Sequence, residues 1–233
     1  MIAFNKTFIA WGSLLLASSG AFAQKAGDTI LAVGVAVIAP RESVGPLRSV
    51  GPAAGPFNAA TAGATVSIDN ETTASLSVLH MFSDNIAAEL TLGVPPRFDV
   101  DVQLASGSHP GAASAKELTP AVVGKYLFNT PADKVRPYLG LGVTHVSFRS
   151  VKANTSDPVI ARLAGTSASL SSSWAPVYNA GLIYNINERF SVNASVSYIP
   201  IKTTATFVGS GTTTTGRLKL NPIDYVVRLG YKF

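Results

Sequence analysis

The end of the chain alternates strictly between two kinds of residue. Every second position from residue 225 to residue 233 is apolar or aromatic, and the residues between them are polar or small, apart from Val226. Successive side chains of a β-strand point to opposite faces, so the segment predicts a strand with one apolar face. That face could cover the core of a soluble sandwich or meet lipid in a membrane barrel, and alternation alone leaves the choice open.

The start of the chain predicts a secretory signal peptide. Lys6 makes the first residues positive, residues 7–17 are apolar, and Ala21-Phe22-Ala23 forms an A-x-A cleavage site. The apolar stretch is well short of the roughly 20 residues that a spanning helix needs. We therefore expect cleavage after Ala23, with residues 1–23 removed and residues 24–233 forming a single domain.

The composition favours a membrane protein built from strands. Apolar residues make up 47% of the chain and charged residues only 13%. After the signal peptide, the longest apolar run is Ile30 to Ala39. As a helix this run would cross about half of a bilayer core, whereas a tilted membrane strand needs only roughly 9–11 residues. The 18 Lys and Arg are scattered, so we expect no nucleic-acid partner. The chain has no cysteine, which leaves no disulfide or thiol chemistry.

The distribution of turn residues predicts eight strands and therefore an all-β, eight-stranded antiparallel barrel. The predicted strands are residues 28–38, 72–82, 86–94, 118–128, 136–148, 174–185, 190–198 and 217–233. Long connections, at 39–71, 95–117, 149–173 and 202–216, alternate with short turns. This alternation is typical of outer-membrane barrels, which have long extracellular loops and short periplasmic turns. An even strand number then places both termini on the periplasmic side.

A soluble up-and-down barrel such as a lipocalin is the alternative. Two features favour lipid around the barrel. Aromatic residues cluster at the strand ends, as a membrane-interface girdle requires. The polar faces contain mostly Ser, Asn, Thr and Gly with few charges, which suits a narrow filled lumen better than a surface in water.

Several segments resemble the outer-membrane protein W family, which includes AlkL-like proteins. The resemblance lies in Met81-Phe82-Ser83-Asp84-Asn85-Ile86-Ala87-Ala88-Glu89-Leu90, in Arg136-Pro137-Tyr138-Leu139-Gly140-Leu141-Gly142-Val143, in Ala180-Gly181-Leu182-Ile183-Tyr184-Asn185-Ile186-Asn187 and in the final Gly230-Tyr231-Lys232-Phe233. It extends over essentially the whole mature chain, in order.

The resemblance implies an eight-stranded barrel of a Gram-negative outer membrane with a narrow, hydrophobic interior. It implies passive passage of small apolar solutes from outside through the barrel wall into the outer-membrane lipid; close relatives serve alkane uptake, and some members are toxin receptors. It also implies that the outer-membrane assembly machinery recognises the chain's end, at Tyr231 and Phe233. Ligand preference is left open, because the first two long connections are unusually rich in Pro, Gly and Ala.

Two sets of residues are candidates for the function. Polar residues expected in the lumen, as a solute path or as an ion-paired plug with Glu89 compensated by Lys125 or Arg228, are Glu89, Lys125, Asn179, Asn193, Ser195 and Arg228. Apolar residues expected along the extracellular path are Val37, Pro40, Pro95, Pro96, Phe98, Phe148 and Trp174. Because buried charges are costly unless paired, the plug is favoured for the polar set.

Other functions stay as alternatives. The long connections fit a structural, adhesive or receptor barrel as well as they fit transport. A lipid-modifying enzyme using Ser and His is less favoured, because no G-x-S-x-G motif is present. The spacing of His80, His109 and His145 predicts no metal site, and we expect no cofactor.

Overall fold

The computed structural model describes residues 24–233, and the predicted signal peptide lies outside the described residues. The described chain contains sixteen strands and two short helices. In chain order they are β1 (Thr29–Ala39), β2 (Ser43–Val44), β3 (Arg48–Val50), α1 (Ala54–Ala60), β4 (Thr65–Ile68), β5 (Glu71–Met81), β6 (Ile86–Gly93), β7 (Arg97–Leu104), β8 (Gly107–Leu118), β9 (Ala121–Leu127), β10 (Val135–Ala153), α2 (Pro158–Ala164), β11 (Ser167–Leu170), β12 (Ser173–Asn185), β13 (Phe190–Tyr198), β14 (Lys202–Gly209), β15 (Thr212–Lys219) and β16 (Ile223–Lys232). Within residues 24–233 no helix has the length and apolar character needed to cross a membrane.

Eight of the strands close into an antiparallel barrel. Each of β1, β5, β6, β9, β10, β12, β13 and β16 pairs with the next around the ring. The last strand pairs with the first, from Ile30 opposite Lys232 to Ala39 opposite Ile223, and this pairing closes the barrel. The predicted eight-stranded barrel is therefore confirmed.

The outer face of the barrel is apolar. Val33, Leu141 and Val227 are 54%, 63% and 52% exposed, although each lies in the middle of a strand. Large apolar side chains in a continuous exposed band are stable only against lipid. Aromatic rings bound this band at both ends. They include His145 with Trp174 and Tyr178 with Tyr198 on the extracellular side, and Tyr126 with Phe128 and Tyr231 with Phe233 on the periplasmic side.

The predicted long loops are folded, which corrects the sequence-based expectation. Above the barrel, β4, β7 and β8 form a sheet that joins the upper end of β10, and β11, β14, β15 and β2 form a second sheet, with β3 also paired to β15. The helices α1 and α2 pack beside these sheets through a cluster that contains Phe57, Leu104 and Leu163. The barrel wall thus continues beyond the membrane as a rigid extracellular extension.

Two predicted strands are each interrupted by a proline. The predicted strand 118–128 is divided into the end of β8 and β9 at Thr119-Pro120, and the strand 217–233 is divided into β15 and β16 at Asn221-Pro222. Proline cannot donate a hydrogen bond to a sheet ladder, and Asn221 has a φ of 41°. At both breaks the chain turns from the extracellular extension into the barrel.

Candidate functional site

An apolar cavity lies inside the extracellular extension. Its volume is about 160 Å³, close to the roughly 150 Å³ of an apolar cavity that holds one benzene molecule. Every second residue of β7, from Phe98 to Leu104, lines it, and residues of β1, β2, β4, β8, β10, β11, β14, β15 and α2 complete the walls. Among the lining side chains are Phe98, Val100, Leu104, Phe148, Phe207 and Leu218. The site is therefore suited to a small hydrophobic molecule.

A smaller and more polar pocket lies below the cavity, in the upper half of the barrel lumen. Its volume is about 80 Å³, and Thr73, Ser75, Ser195 and Asn179 are among its lining residues. Asn179 donates a hydrogen bond from Nδ2 to Oγ of Ser197, at 2.9 Å. These side chains come from the polar faces of the alternating strands, so the pleat of the barrel places them inside.

Glu117 lies at the junction of the two spaces, because it lines both the apolar cavity and the lumen pocket. It belongs to β8, above the spanning strands, and is only 7% exposed. Burial first, and then the negative charge of Asp224, raise the pKa of the Glu117 carboxyl to about 8. Sequence reasoning missed this residue, because an isolated Glu at the end of a strand gives no local signal.

Three charged side chains form a cluster below the lumen pocket. The carboxylate of Glu89 lies 2.9 Å from Nζ of Lys125 and 3.3 Å from Nη1 of Arg228. All three side chains are nearly inaccessible to solvent, and Ser77 and Thr91 donate hydrogen bonds to the same carboxylate. Both cations that the sequence offered as partners of Glu89 thus contact it, in the middle of the lumen.

Tyr138 extends this cluster towards the next strand. Nζ of Lys125 lies 4.2 Å from the centre of the Tyr138 ring, which is a cation–π distance. The Tyr138 hydroxyl donates to Oδ1 of Asn193 at 3.0 Å. Gly181 faces Tyr138 across the strand pair, and a Cβ there would lie 2.6 Å from the Tyr138 hydroxyl oxygen, so the glycine makes room for the ring.

The periplasmic end of the lumen is filled. Ile30, Leu79, Met81, Leu127 and Ile183 are among the side chains that pack there with Tyr138 into one buried cluster. Below this cluster, the guanidinium of the fully buried Arg136 donates hydrogen bonds to the backbone carbonyls of Gln24 and Asp84. The interior is therefore apolar above and below and polar between, so the hydrophobic character that the family resemblance implies lies at the two ends.

The wall of the barrel is incomplete on one side of the lumen pocket. The ladder between β6 and β9 ends with Thr91 opposite Ala121, because Pro120 precedes β9. The rest of β6 continues to pair with β5 on its other side. Leu92 and Val94, which are 41% and 62% exposed to the lipid side, also line the lumen pocket at this point. The ladder is therefore interrupted where residues of the outer face also line the lumen pocket, and the two segments are joined again by the hydrogen bond from Glu117 N to Pro96 O.

The structure separates the predicted apolar-path residues into two groups. Pro40, Phe98 and Phe148 line the apolar cavity, and Pro96 lines the lumen pocket. The remaining three do not line either space. Val37 alternates with inward residues of β1 and lies on the lipid face, Trp174 is 72% exposed beside His145, and Pro95 is exposed at the rim. Alternation fixes a face only once the register of the strand is known, so the part of these three residues in a solute path stays a prediction.

Ser106, His109 and Asp157 form a hydrogen-bonded chain on the extracellular surface. Oγ of Ser106 lies 2.9 Å from Nε2 of His109, and Nδ1 of His109 lies 2.7 Å from Oδ2 of Asp157. Oδ1 of Asp157 accepts from the backbone N–H groups of Val159 and Ile160 and so caps α2. The hydrogen bond from His109 is the largest cause of the lowered pKa of Asp157. These hydrogen bonds link the exposed β7–β8 turn to the start of α2.

The two candidate positions at the end of the chain, Tyr231 and Phe233, lie in the periplasmic aromatic girdle. Tyr231 packs edge-to-face between Phe190 and Phe233, at the periplasmic girdle. Phe233 is 76% exposed at the end of the closing strand. Within residues 24–233 no group of three or more His, Asp or Glu side chains is arranged to hold a metal ion.

Comparison with known proteins places this architecture in a family. The sequence model of the OmpW family matches residues 25–233. Outer membrane protein W of Escherichia coli strain K12 is 30% identical over 220 residues, covering 94% of each chain. Outer membrane protein AlkL of Ectopseudomonas oleovorans is 28% identical over 170 residues, covering 73% of this chain and 69% of that protein. The crystal structure of outer membrane protein OprG from Pseudomonas aeruginosa is similar with a TM-score of 0.79 and 26% identity, over 91% of this chain and 99% of the other.

Proposed function

We propose that this chain, which belongs to the OmpW family, passes small hydrophobic molecules from outside the cell into the outer membrane. The barrel lies in the outer membrane, with its short turns on the periplasmic side and the folded extension outside. The observation that carries the proposal is the apolar cavity of about 160 Å³ inside that extension. In a barrel whose outer face meets lipid, a solute crossing the polar cell surface gains in this cavity a place to leave water.

The driving force for entry is the hydrophobic effect. Burial of apolar surface contributes about 25 cal/mol for each Å² removed from water. A molecule of six to eight carbon atoms would bury most of its surface between Phe98, Phe148 and Phe207, which line the cavity. Passage then needs no energy source, because the membrane interior offers an apolar environment of the same kind beyond the site.

The exit that the geometry favours is sideways, through the barrel wall. Passage towards the periplasm would have to displace the Glu89 cluster and the packed side chains around Met81 and Leu127. The gap between β6 and β9 above Thr91 and Ala121 opens from the lumen pocket to the lipid face. A hydrophobic solute that moved from the cavity past Glu117 would meet lipid there without crossing the charged middle of the lumen.

Filling the cavity tests the proposal. Val100→Trp adds an indole to the cavity wall, and Val196→Trp makes the same substitution on the lipid face of β13, where Val196 is 39% exposed and far from the gap between β6 and β9. Tryptophan is well tolerated near the membrane interface, so Val196→Trp is the matched control. We expect Val100→Trp to reduce the uptake of an alkane probe to the rate of cells lacking the protein, while Val196→Trp retains wild-type uptake at equal outer-membrane abundance.

Two outcomes would remove the proposal. Equal uptake by cells with and without the protein would leave the folded extension as a displayed surface, in a structural or receptor role. Wild-type uptake by a correctly folded Val100→Trp variant would show that solutes do not use the cavity. Uptake into liposomes that contain the purified barrel checks both results without other cell components.

A further inference from the structure

The junction between the apolar cavity and the lumen holds two carboxyl groups without a cation. Glu117 lines both spaces and is 7% exposed. Asp224 lines the lumen pocket beside it, and Oδ1 of Asp224 is buried with no hydrogen-bond partner. In the part of the chain that the structure describes, the Glu117 side chain forms no ion pair and no hydrogen bond, and its electrostatic neighbour is Asp224.

The buried carboxylate of Glu89, in the same barrel, provides a comparison. Glu89 receives two cations, Lys125 and Arg228, together with two hydroxyl donors. Burying a charge without a partner is costly, and the two junction carboxyl groups, unlike Glu89, lack the cation that would stabilise their charged forms. Arg217 also lines the cavity, but it is an exposed residue of β15. It is not among the charges that shift the pKa of Glu117.

We propose that this junction binds the ammonium head of a primary alkylamine through the Glu117 and Asp224 carboxyl groups, with the alkyl tail in the apolar cavity. The inference rests on the function proposed above, because the tail needs the cavity. The inference adds that the ligand is an amphiphile with a positively charged head. An alkane has no such head and would leave both carboxyl groups without a partner.

The chemistry of the two carboxyl groups selects this head. A primary ammonium carries one positive charge and three N–H donors, like the lysine side chain. It can therefore donate hydrogen bonds to both carboxyl groups at once, and its positive charge balances the negative charge of a deprotonated carboxyl group. A neutral alcohol offers one donor and no charge, and a quaternary ammonium offers charge without any N–H donor. An alkylamine, like lysine, is protonated at neutral pH.

Binding of three short probes to the full barrel in lipid nanodiscs tests the inference. Hexylamine, 1-hexanol and hexyltrimethylammonium share one tail length, and empty nanodiscs measure their partition into lipid. Charge-assisted hydrogen bonds contribute enough that we expect hexylamine to bind about 10- to 100-fold more tightly than 1-hexanol. Hexyltrimethylammonium should bind more weakly than hexylamine, because it cannot donate to the carboxyl groups.

Variants identify the site. Glu117→Gln and Asp224→Asn keep the shape of each side chain and remove its charge, so each should weaken hexylamine binding and leave 1-hexanol binding nearly unchanged. Glu188→Gln removes a carboxylate from the exposed periplasmic turn and should have no effect. Heat-modifiable migration on gels verifies that each barrel is folded.

Each outcome decides between the two proposals. If hexylamine binds Glu117→Gln and Asp224→Asn as tightly as wild type, or no more tightly than 1-hexanol binds wild type, the ammonium site is overturned while the apolar cavity stands. If no probe binds the wild-type barrel beyond empty nanodiscs, the cavity fails as a ligand site, and both this inference and the proposed function fall together.

Discussion

Glu89 and Lys125 form an ion pair of 2.9 Å in the middle of a lipid-surrounded barrel, with the two side chains almost inaccessible to solvent. Arg228 approaches the other oxygen of the same carboxylate. Three strands that are distant in the chain thus meet at one carboxylate. The cluster ties β6, β9 and β16 together inside the lumen and closes the path to the periplasm.

Removing the Glu89 charge should destabilise the barrel. In Glu89→Gln, Lys125 and Arg228 remain buried without a counter-charge, and breaking a buried pair in this way costs about 3 kcal/mol or more. Urea unfolding in lipid vesicles measures the change in the free energy of unfolding. Glu188→Gln, at an exposed turn, should change it by less than about 0.5 kcal/mol. A Glu89→Gln barrel as stable as wild type would show that the cluster does not stabilise the fold.

Glu117 should make stability fall as pH rises. Its pKa is raised from 4.5 to about 8 in the folded protein. Between these values the folded state holds a proton that the unfolded state has released, so the unfolded state is favoured progressively as pH increases. Glu117→Gln has no such proton and should be more stable than wild type at pH 8, by on the order of 4 kcal/mol, since each pH unit between the two pKa values contributes about 1.4 kcal/mol.

The difference in unfolding free energy between Glu117→Gln and wild type, measured from pH 5 to pH 9, checks this direction. Comparing the two proteins at each pH cancels the titration of all other groups. A difference that stays constant with pH, or that shrinks towards pH 8, contradicts a raised pKa at Glu117.

Asp157 should stabilise α2 locally. Asp157→Ala removes the cap and the contact with His109, and loss of an N-cap typically costs about 1 kcal/mol. Asp157→Asn keeps a capping oxygen and loses the charge that faces His109. We expect faster hydrogen exchange in residues 158–164 for Asp157→Ala, with Asp157→Asn intermediate between it and wild type.

The same surface allows a check on the enzyme alternative. If Ser106 and His109 serve only to tie the β7–β8 turn to α2, a fluorophosphonate probe should not label Ser106. Stoichiometric labelling that disappears in Ser106→Ala would instead establish a reactive serine in the extracellular extension.

Phe233 should matter for assembly more than for stability. Phe233 and Phe82 are 76% and 66% exposed, and each packs edge-to-face against one aromatic neighbour at the periplasmic girdle. Phe233→Ser should lower the amount of barrel in the outer membrane several-fold, whereas Phe82→Ser, the matched control, should lower it less. Equal yields of the two variants would argue against recognition of the C-terminal residue by the assembly machinery.

The spanning strands could be predicted from the sequence because lipid on one side imposes a strict period of two. The first strand was predicted at residues 28–38 and lies at Thr29–Ala39, and the strand at 190–198 lies at Phe190–Tyr198. The family resemblance supplied the same strand number. Bounds were least accurate where a proline interrupts a ladder, as at Pro120 and Pro222.

The folded extension was missed although its pattern is in the sequence. Phe98, Val100, Val102 and Leu104 alternate with polar residues, but Pro95-Pro96 before them and the Gly-rich segment after them favour a loop when judged locally. The β14–β15 hairpin has mainly glycine, serine and threonine near its turn, where Ser210 and Gly211 have φ values of 48° and 71°. β8 pairs with the upper part of β10, and β14 and β15 pair within a separate sheet; these long-range pairings leave no local signal in the sequence.

The candidate site was predictable only in part for a similar reason. Glu89 was recognisable as an acidic residue on the polar face of a strand, and its cations lay on equivalent faces elsewhere. Glu117 lies on β8 and Asp224 on β16, and these two strands do not pair with each other. Their proximity therefore depends on the closed barrel. The register that carries Val37 and Trp174 to the outside is likewise a property of the assembled wall.

The size of the extracellular cavity sets how the proposed passage of solutes should depend on their concentration. A space of about 160 Å³ holds one small molecule at a time. Flux through it must therefore approach a plateau as solute concentration rises, in contrast to the linear dependence of an open pore. Two solutes supplied together should compete for occupancy, so each should slow the entry of the other.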